Sequence, residues 1–201
     1  MITAAADLFA TVGYSGTTMD AVAAASGMSV QSVYYNFGNK ATLLQAAFDH
    51  AALTETGTPP PLTDWYQAAT AEPDADVALA ALIVGTGEIL AGTGPLTLAA
   101  AAAAPGDPAA ADVHERNEGL RMMACKDLVQ AVTVKRPLRH GITLEKAGDI
   151  VFGLLSPQLH YLLTGTRHWS YDDFIAWVTQ TIREALWATD DKDTDAAAPT
   201  A

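Results

Sequence analysis

Residues 18–40, TMDAVAAASGMSVQSVYYNFGNK, constrain this chain more than any other stretch. They predict two short helices joined by a tight turn. The first covers residues 18–25, with Thr18 placed so that its hydroxyl accepts from a free backbone N–H of the first turn. Met19, Val22 and Ala23 recur at helical spacing and give that helix one apolar face. Gly27 then stands where a helix ends on a left-handed residue, and Ser29 can cap the next helix. That second helix begins at Val30 and runs to about Asn36, with Val33 and Phe37 pointing inward at i, i+4. Gln31, Ser32, Tyr35 and Asn36 are left facing out, with Tyr34 alongside. Such a helix-turn-helix layout presents the second helix to a DNA major groove.

Two helices and a glycine turn are common in all-α proteins, so the layout alone leaves a purely structural hairpin open. The residues say more. Thr18, Val22-Ala23, Ala25-Ser26-Gly27, Ser29, Val33-Tyr34, Phe37, Lys40 and Leu43 follow the pattern T-x-x-x-[IV]-A-x-x-[AS]-G-[VM]-S-x-x-[ST]-[LV]-Y-x-x-F-x-x-K-x-x-L. Over about forty residues this resembles the amino-terminal domain of the TetR family of bacterial transcriptional regulators. The resemblance implies a homodimer that binds operator DNA and is released by an unknown small-molecule effector, most often as a repressor. It implies that Tyr34 and Lys40 hold phosphates with Thr18 helping, while Gln31, Ser32 and Tyr35 read base edges, flanked by Val30 and Asn36. Gln31 stands where relatives often have Gly or Pro, and Asn36 where they often have His, so no operator sequence carries over.

Half of the 201 residues are apolar and few are charged, which excludes global disorder and allows a sizeable core. Abundant alanine, with no alternating β-branched run, predicts an all-α fold: an amino-terminal helix-turn-helix domain and a larger helical ligand-binding and dimerisation domain. A single cysteine, Cys125, builds no disulfide framework and suits a reducing cytoplasm. No signal peptide is expected, since Asp7 interrupts the first apolar run, and no membrane partner, since the runs at 77–90 and 150–163 fall short of the roughly 20 residues of a span.

The net charge of −12 is unusual for a DNA binder, whose affinity comes largely from neutralised phosphates. Residues 1–50 contain Lys40 as their sole Lys or Arg, against Asp7, Asp20 and Asp49. Two expectations follow: a natural chain that starts upstream of Met1 with a basic turn, or weak DNA binding with a shallow salt dependence.

Along the chain, residues 2–12 predict a first helix with Ala5, Leu8, Phe9 and Val12 as its stripe, broken at Gly13-Tyr14-Ser15-Gly16. A fourth helix follows Gly38-Asn39 and reaches residue 53, closing a DNA-binding domain of residues 1–53. In the family, that helix transmits ligand-driven motion. The proline-rich segment 54–63 is a boundary, and residues 64–188 form the second domain. Within it the pattern predicts helices from 64, over 76–90, 95–104, 109–134, 143–165 and 171–188. Gly85, Gly87, Gly92 and Gly94 lack the spacing of a phosphate loop and read as helix ends or close packing points. Arg116, Arg121, Lys126, Lys135, Arg136, Arg139 and Lys146 read as surface charges balancing nearby acids. The tail 189–201, acidic and alanine-rich, is expected to be disordered.

The last helix is apolar on two sides, so one side is expected to face a partner chain through Phe174, Trp177, Val178 and Ile182. Residues 142–186 are also similar to the end of many actinobacterial-type TetR regulators, where two helices dimerise as a four-helix bundle. Candidate ligand-pocket residues are Trp65, Tyr66, Met122, Met123, Phe152, Leu155, Gln158, His160 and Tyr161, an apolar set with a few polar groups. No cofactor or metal is expected: the five histidines include no i, i+4 pair, and Cys125 has no neighbouring His. An enzyme is not expected. The alternative is a helical dimeric small-molecule-binding protein with weak or lost DNA binding.

Overall fold

The computed structural model describes residues 1–53 and 57–187, and among these every regular element is helical. The amino-terminal helices are α1 (Ile2–Gly16), α2 (Met19–Ser26), α3 (Val30–Phe37) and α4 (Lys40–Ala52). Each of the last three starts on a side chain that accepts from its own first turn: Thr18 from Ala21 N, Ser29 from Ser32 N, Asn39 from Thr42 N. Gly27 ends α2 at φ 68°, the left-handed conformation that a glycine adopts without steric cost. The expected break in α1 is a kink. Gly13 takes φ 76° inside the helix, and beyond it Tyr14 turns inward to stack on Phe9 at 5.9 Å. Val12 falls on the outside of this bend and is 54% exposed, so it is not part of the apolar stripe.

A short turn (Pro60–Leu62) and α5 (Asp64–Ala71) lead into α6 (Ala75–Ala103), the central helix, which touches α1, α4 and α5. The sequence predicts two helices here, and the structure has one. Pro95 removes the backbone bond to the Ala91 carbonyl, a loss of about 3 kcal/mol in an isolated helix. Burial outweighs it: Leu79, Leu82, Ile83, Leu96 and Ala100 are all at most 1% exposed. The glycines are packing points. A methyl group on Gly85 would overlap the indole of Trp65, and one on Gly87 would overlap Ile175. At 29 residues α6 is long and apolar enough to cross a membrane by length and composition, contrary to the shorter runs expected, but its side chains form the core of this fold.

The long helix α7 (Pro108–Thr133) packs on α6 and on α8 (Leu144–Leu154). The helix expected over 143–165 does not continue past α8. Pro157 holds Ser156 in an extended conformation (φ −81°, ψ 145°), and Ser156 then caps a short α9 (Pro157–His160) that widens into a π-helical turn (Tyr161–Thr166). α10 (Tyr171–Leu186) starts on the expected Ser170 cap. Of the four residues expected to face a partner chain, Trp177 is partly covered. Phe174, Val178 and Ile182 are fully buried in the body core, which corrects their expected place at a dimer surface. The expected disordered tail lies outside the described residues.

Two cores result. The body core joins α5 to α10. The amino-terminal core takes Leu96, Ala100, Ala103, Ala110 and Val113 from α6 and α7, so the helix-turn-helix sits on the body through shared apolar packing.

Candidate DNA-binding face and ligand cavity

Val33 locks α3 into the amino-terminal core, and this turns the opposite face of the helix outward. Gln31, Tyr34, Tyr35 and Asn36 are exposed, with Tyr35 at 91%, while Val30 and Ser32 are partly covered. Two of these side chains are already engaged. The Ser32 hydroxyl shares a 2.8 Å hydrogen bond with that of Ser29, and Asn36 Nδ2 donates to the Ser32 carbonyl at 2.7 Å. Gln31 and Tyr35 are exposed. Lys40 is half-buried; its Nζ donates to the Tyr14 carbonyl at 2.8 Å and lies 4.2 Å from the centre of the Tyr14 ring. The one cation of this face is thus fixed in position. Burial, followed by the charge of Asp107, raises the Tyr14 phenol above its ordinary value, so it stays neutral beneath that amine.

Between α4, α5, α6 and α7 lies a cavity of about 320 Å³, within the usual range of small-molecule sites. Phe48 and Ala52 of α4 form one wall, Trp65 and Tyr66 of α5 another, and Thr86, Ile89, Leu90 and Thr93 of α6 a third. Leu120, Met123, Ala124 and Cys125 of α7 and residues 59–61 complete the lining. Its charged and amide side chains are Asn117, Glu118, Arg121 and Asp127, beside the hydroxyls of Tyr66, Thr86, Thr93 and Thr97. Arg121 is held on all sides. It meets Glu118 twice (Nε to Oε1 3.0 Å, Nη2 to Oε2 2.8 Å), donates from Nη1 to the Phe152 carbonyl at 2.7 Å, and lies 3.4 Å above the Phe152 ring. Burial, and then the charge of Asp127, push the Tyr66 hydroxyl up. Cys125 is pushed up to about 11 by burial, so its thiol stays protonated and behaves as a small apolar group.

Of the candidate pocket residues, Trp65, Tyr66, Met123 and Leu155 line this cavity. Met122 lies off it, one position round α7 from Met123. Phe152 sits behind the wall, under Arg121. Gln158 is exposed on α9, His160 packs edge-on against Phe174 at 5.0 Å, and Tyr161 is exposed too.

Residues 1–47 match the family model described as bacterial regulatory proteins, tetR family. These helices are a TetR-family domain. A comparison with curated proteins gave no match. Solved structures similar to the whole chain include NalD of Pseudomonas aeruginosa, the secondary repressor of the MexAB-OprM multidrug efflux pump, at 17% identity and TM-score 0.65, covering 93% of this chain and 94% of that one. FadR of Bacillus subtilis, solved with stearoyl-CoA, gives 15% identity and TM-score 0.67 over 92% and 97%. A cysteine mutant of the TetR-family regulator CifR, solved with a 26-base-pair operator, gives 18% and 0.67 over 90% and 93%. At such identities the likeness is one of fold: an all-α TetR-family architecture with a helix-turn-helix domain on a larger helical body.

Sequence reasoning missed the wall that the TetR-type domain itself contributes, Phe48 and Ala52, and the polar set Asn117, Glu118 and Arg121. The first two look like ordinary core positions of α4. The others read as solvated charge because α7 alternates acids and bases along its length. The triple proline was the available signal, since a stiff segment close to α4 makes a natural rim.

Proposed function

We propose that the chain is a ligand-responsive transcriptional regulator, a cytoplasmic homodimeric repressor that leaves its operator when a small molecule enters the cavity. One observation carries the reading. The cavity wall includes Phe48 and Ala52, and the helix they sit on belongs to the TetR-family domain that bears α3. A ligand that fits only one position of α4 shifts the population toward it, and with it the spacing of two recognition helices. Thr18, Tyr34 and Lys40 take phosphates; Gln31 and Tyr35 read bases, with Val30, Ser32 and Asn36 shaping the contact. For the dimer, the side chains left over on this side are Trp177 with Trp169 edge-on at 5.8 Å, and the exposed Tyr161 and Leu162.

A gel shift with the DNA upstream of the protein's own coding region tests the reading. A specific, saturable complex is expected, and none at micromolar protein would overturn it. The scarcity of positive charge around α3 supports a second reading, a helical small-molecule-binding protein with weak or lost DNA binding. That same result would favour it.

A further inference from the structure

Resting on the ligand-responsive reading, we infer that the cavity takes an uncharged apolar molecule and rejects anionic amphiphiles, because Glu118 neutralises the guanidinium that would otherwise hold an anion. Arg121 is the sole cation among the described residues of the wall, against two carboxylates, Glu118 and Asp127. A free arginine at the end of an apolar cavity would be a ready clamp for a carboxylate or phosphate. Here its fork is filled. Glu118 takes Nε and Nη2 in a paired contact, and the carbonyls of Phe152 and Leu155 take Nη1 at 2.7 and 3.4 Å. Both side chains of the pair are largely covered, at 17% and 24% exposure. An incoming carboxylate would have to displace Glu118 and leave it unpaired beside the ligand, or stay unpaired itself; either strands a charge away from water. An uncharged molecule meets neither cost and covers Trp65, Leu90, Leu120 and Met123.

The test compares two ligands with the same twelve-carbon chain, dodecanol and laurate, on the full chain. Each competes with N-phenyl-1-naphthylamine, an uncharged probe that fluoresces in apolar sites. The probe should bind one site per chain, and dodecanol should displace it at concentrations at least about tenfold below those laurate needs. Glu118→Gln frees the guanidinium at nearly constant volume. It should improve laurate about tenfold, the effect of one recovered charge-assisted contact, with the probe unchanged within about twofold. Ala124→Trp, at an exposed lining position, should abolish probe binding. Equal competition by laurate and dodecanol in the unmodified chain overturns the inference, as do no probe binding at all and probe binding that survives Ala124→Trp. Unimproved laurate binding in a folded Glu118→Gln also overturns it; if that variant does not fold, the dodecanol–laurate pair decides alone. No DNA is present in these measurements, so failure of the regulator reading in the gel shift is a separate result.

Discussion

Asn117 on α7 donates its Nδ2 to Gln45 Oε1 on α4 at 3.0 Å, joining residues 72 positions apart across the junction of body and TetR-type domain. The same nitrogen also reaches the Val113 carbonyl at 2.7 Å, and Gln45 passes its own amide on to Asp49 at 2.8 Å. Asn117 also lines the cavity, so a ligand engaging its amide would compete with Gln45 for it.

Asn117→Ala should therefore reduce the ligand's effect on DNA affinity more than it changes either affinity alone. A loss of about 0.5–2 kcal/mol of coupling is the expected scale. Titrating DNA with and without ligand, for the wild type and the variant, gives the coupling directly. An unchanged ratio of the two DNA affinities would mean that the signal travels through Phe48 and Ala52 alone.

Gly85→Ala should strike the cavity from a position outside its lining, through Trp65, which lines it. The added methyl would overlap the Trp65 ring, which rests on the helix at that point. Overpacking of this kind costs about 1–3 kcal/mol. Thermal unfolding should show the loss, and the displaced indole should weaken probe binding in the cavity. The double variant with Trp65→Leu should recover most of the stability. If the double variant is as unstable as Gly85→Ala, the close approach is not the cause.

The amino-terminal half was legible because each signal there is local. Thr18, Gly27 and Ser29 fix helix ends by bonds within three to five residues, and the structure uses every one, adding Asn39 as the cap of α4. The body was less legible because its decisive forces are not local. Pro95 sits inside a helix that tertiary burial keeps continuous, whereas Pro157, three residues past the end of α8, does break one. Ser156, which caps α9 beside Pro157, is a local signal that Gly94 cannot give beside Pro95, and α6 is in addition packed against α1, α4, α5, α7, α9 and α10. The same holds for Phe174, Val178 and Ile182: a helix with two apolar sides must bury both, but the sequence does not reveal that the body of the same chain takes these three.

Acidification should destabilise the fold through His160. Its ring packs against Phe174, and burial lowers its pKa below the ordinary 6.5. Above that value the histidine is neutral in both states and has no effect. Below it the unfolded chain binds the proton while the folded chain resists, so stability falls as pH drops from 6.5 to the lowered value and levels off beneath it. His160→Gln should flatten this part of the profile in denaturant unfolding at a series of pH values. An unchanged slope would assign the acid sensitivity to other groups.

Tyr34→Phe should weaken DNA binding about equally for all sequences, since a phosphate contact carries no base information. Gln31→Ala should instead relax preference at one base pair, by about 1–3 kcal/mol of discrimination. Competition binding against single-base operator variants separates the two. If both substitutions change specificity alike, the division of α3 into positioning and reading residues is wrong.

The salt dependence of DNA binding should be shallow. Each phosphate neutralised by a lysine or arginine contributes about −0.9 to the slope of log affinity against log salt. Lys40 is the sole Lys or Arg among residues 1–53, and its amine is already tied to the Tyr14 carbonyl. It can add a phosphate to that bond, since an ammonium has three donors, but residues 1–53 supply no second Lys or Arg. A dimer then has two such contacts, for a slope of about −2, whereas a binder with six to ten contacts falls three to five times more steeply. Tyr34, the Thr18 hydroxyl and backbone N–H groups position DNA without releasing counterions. Affinities measured between 50 and 200 mM salt should therefore change by about tenfold or somewhat more, not by a thousandfold. Lys40→Gln should remove most of what slope there is. A slope near −6 in the unmodified chain would mean that cations of the body, such as Arg116 or Lys126 on α7, reach the duplex, and that the binding face extends well beyond α2 and α3.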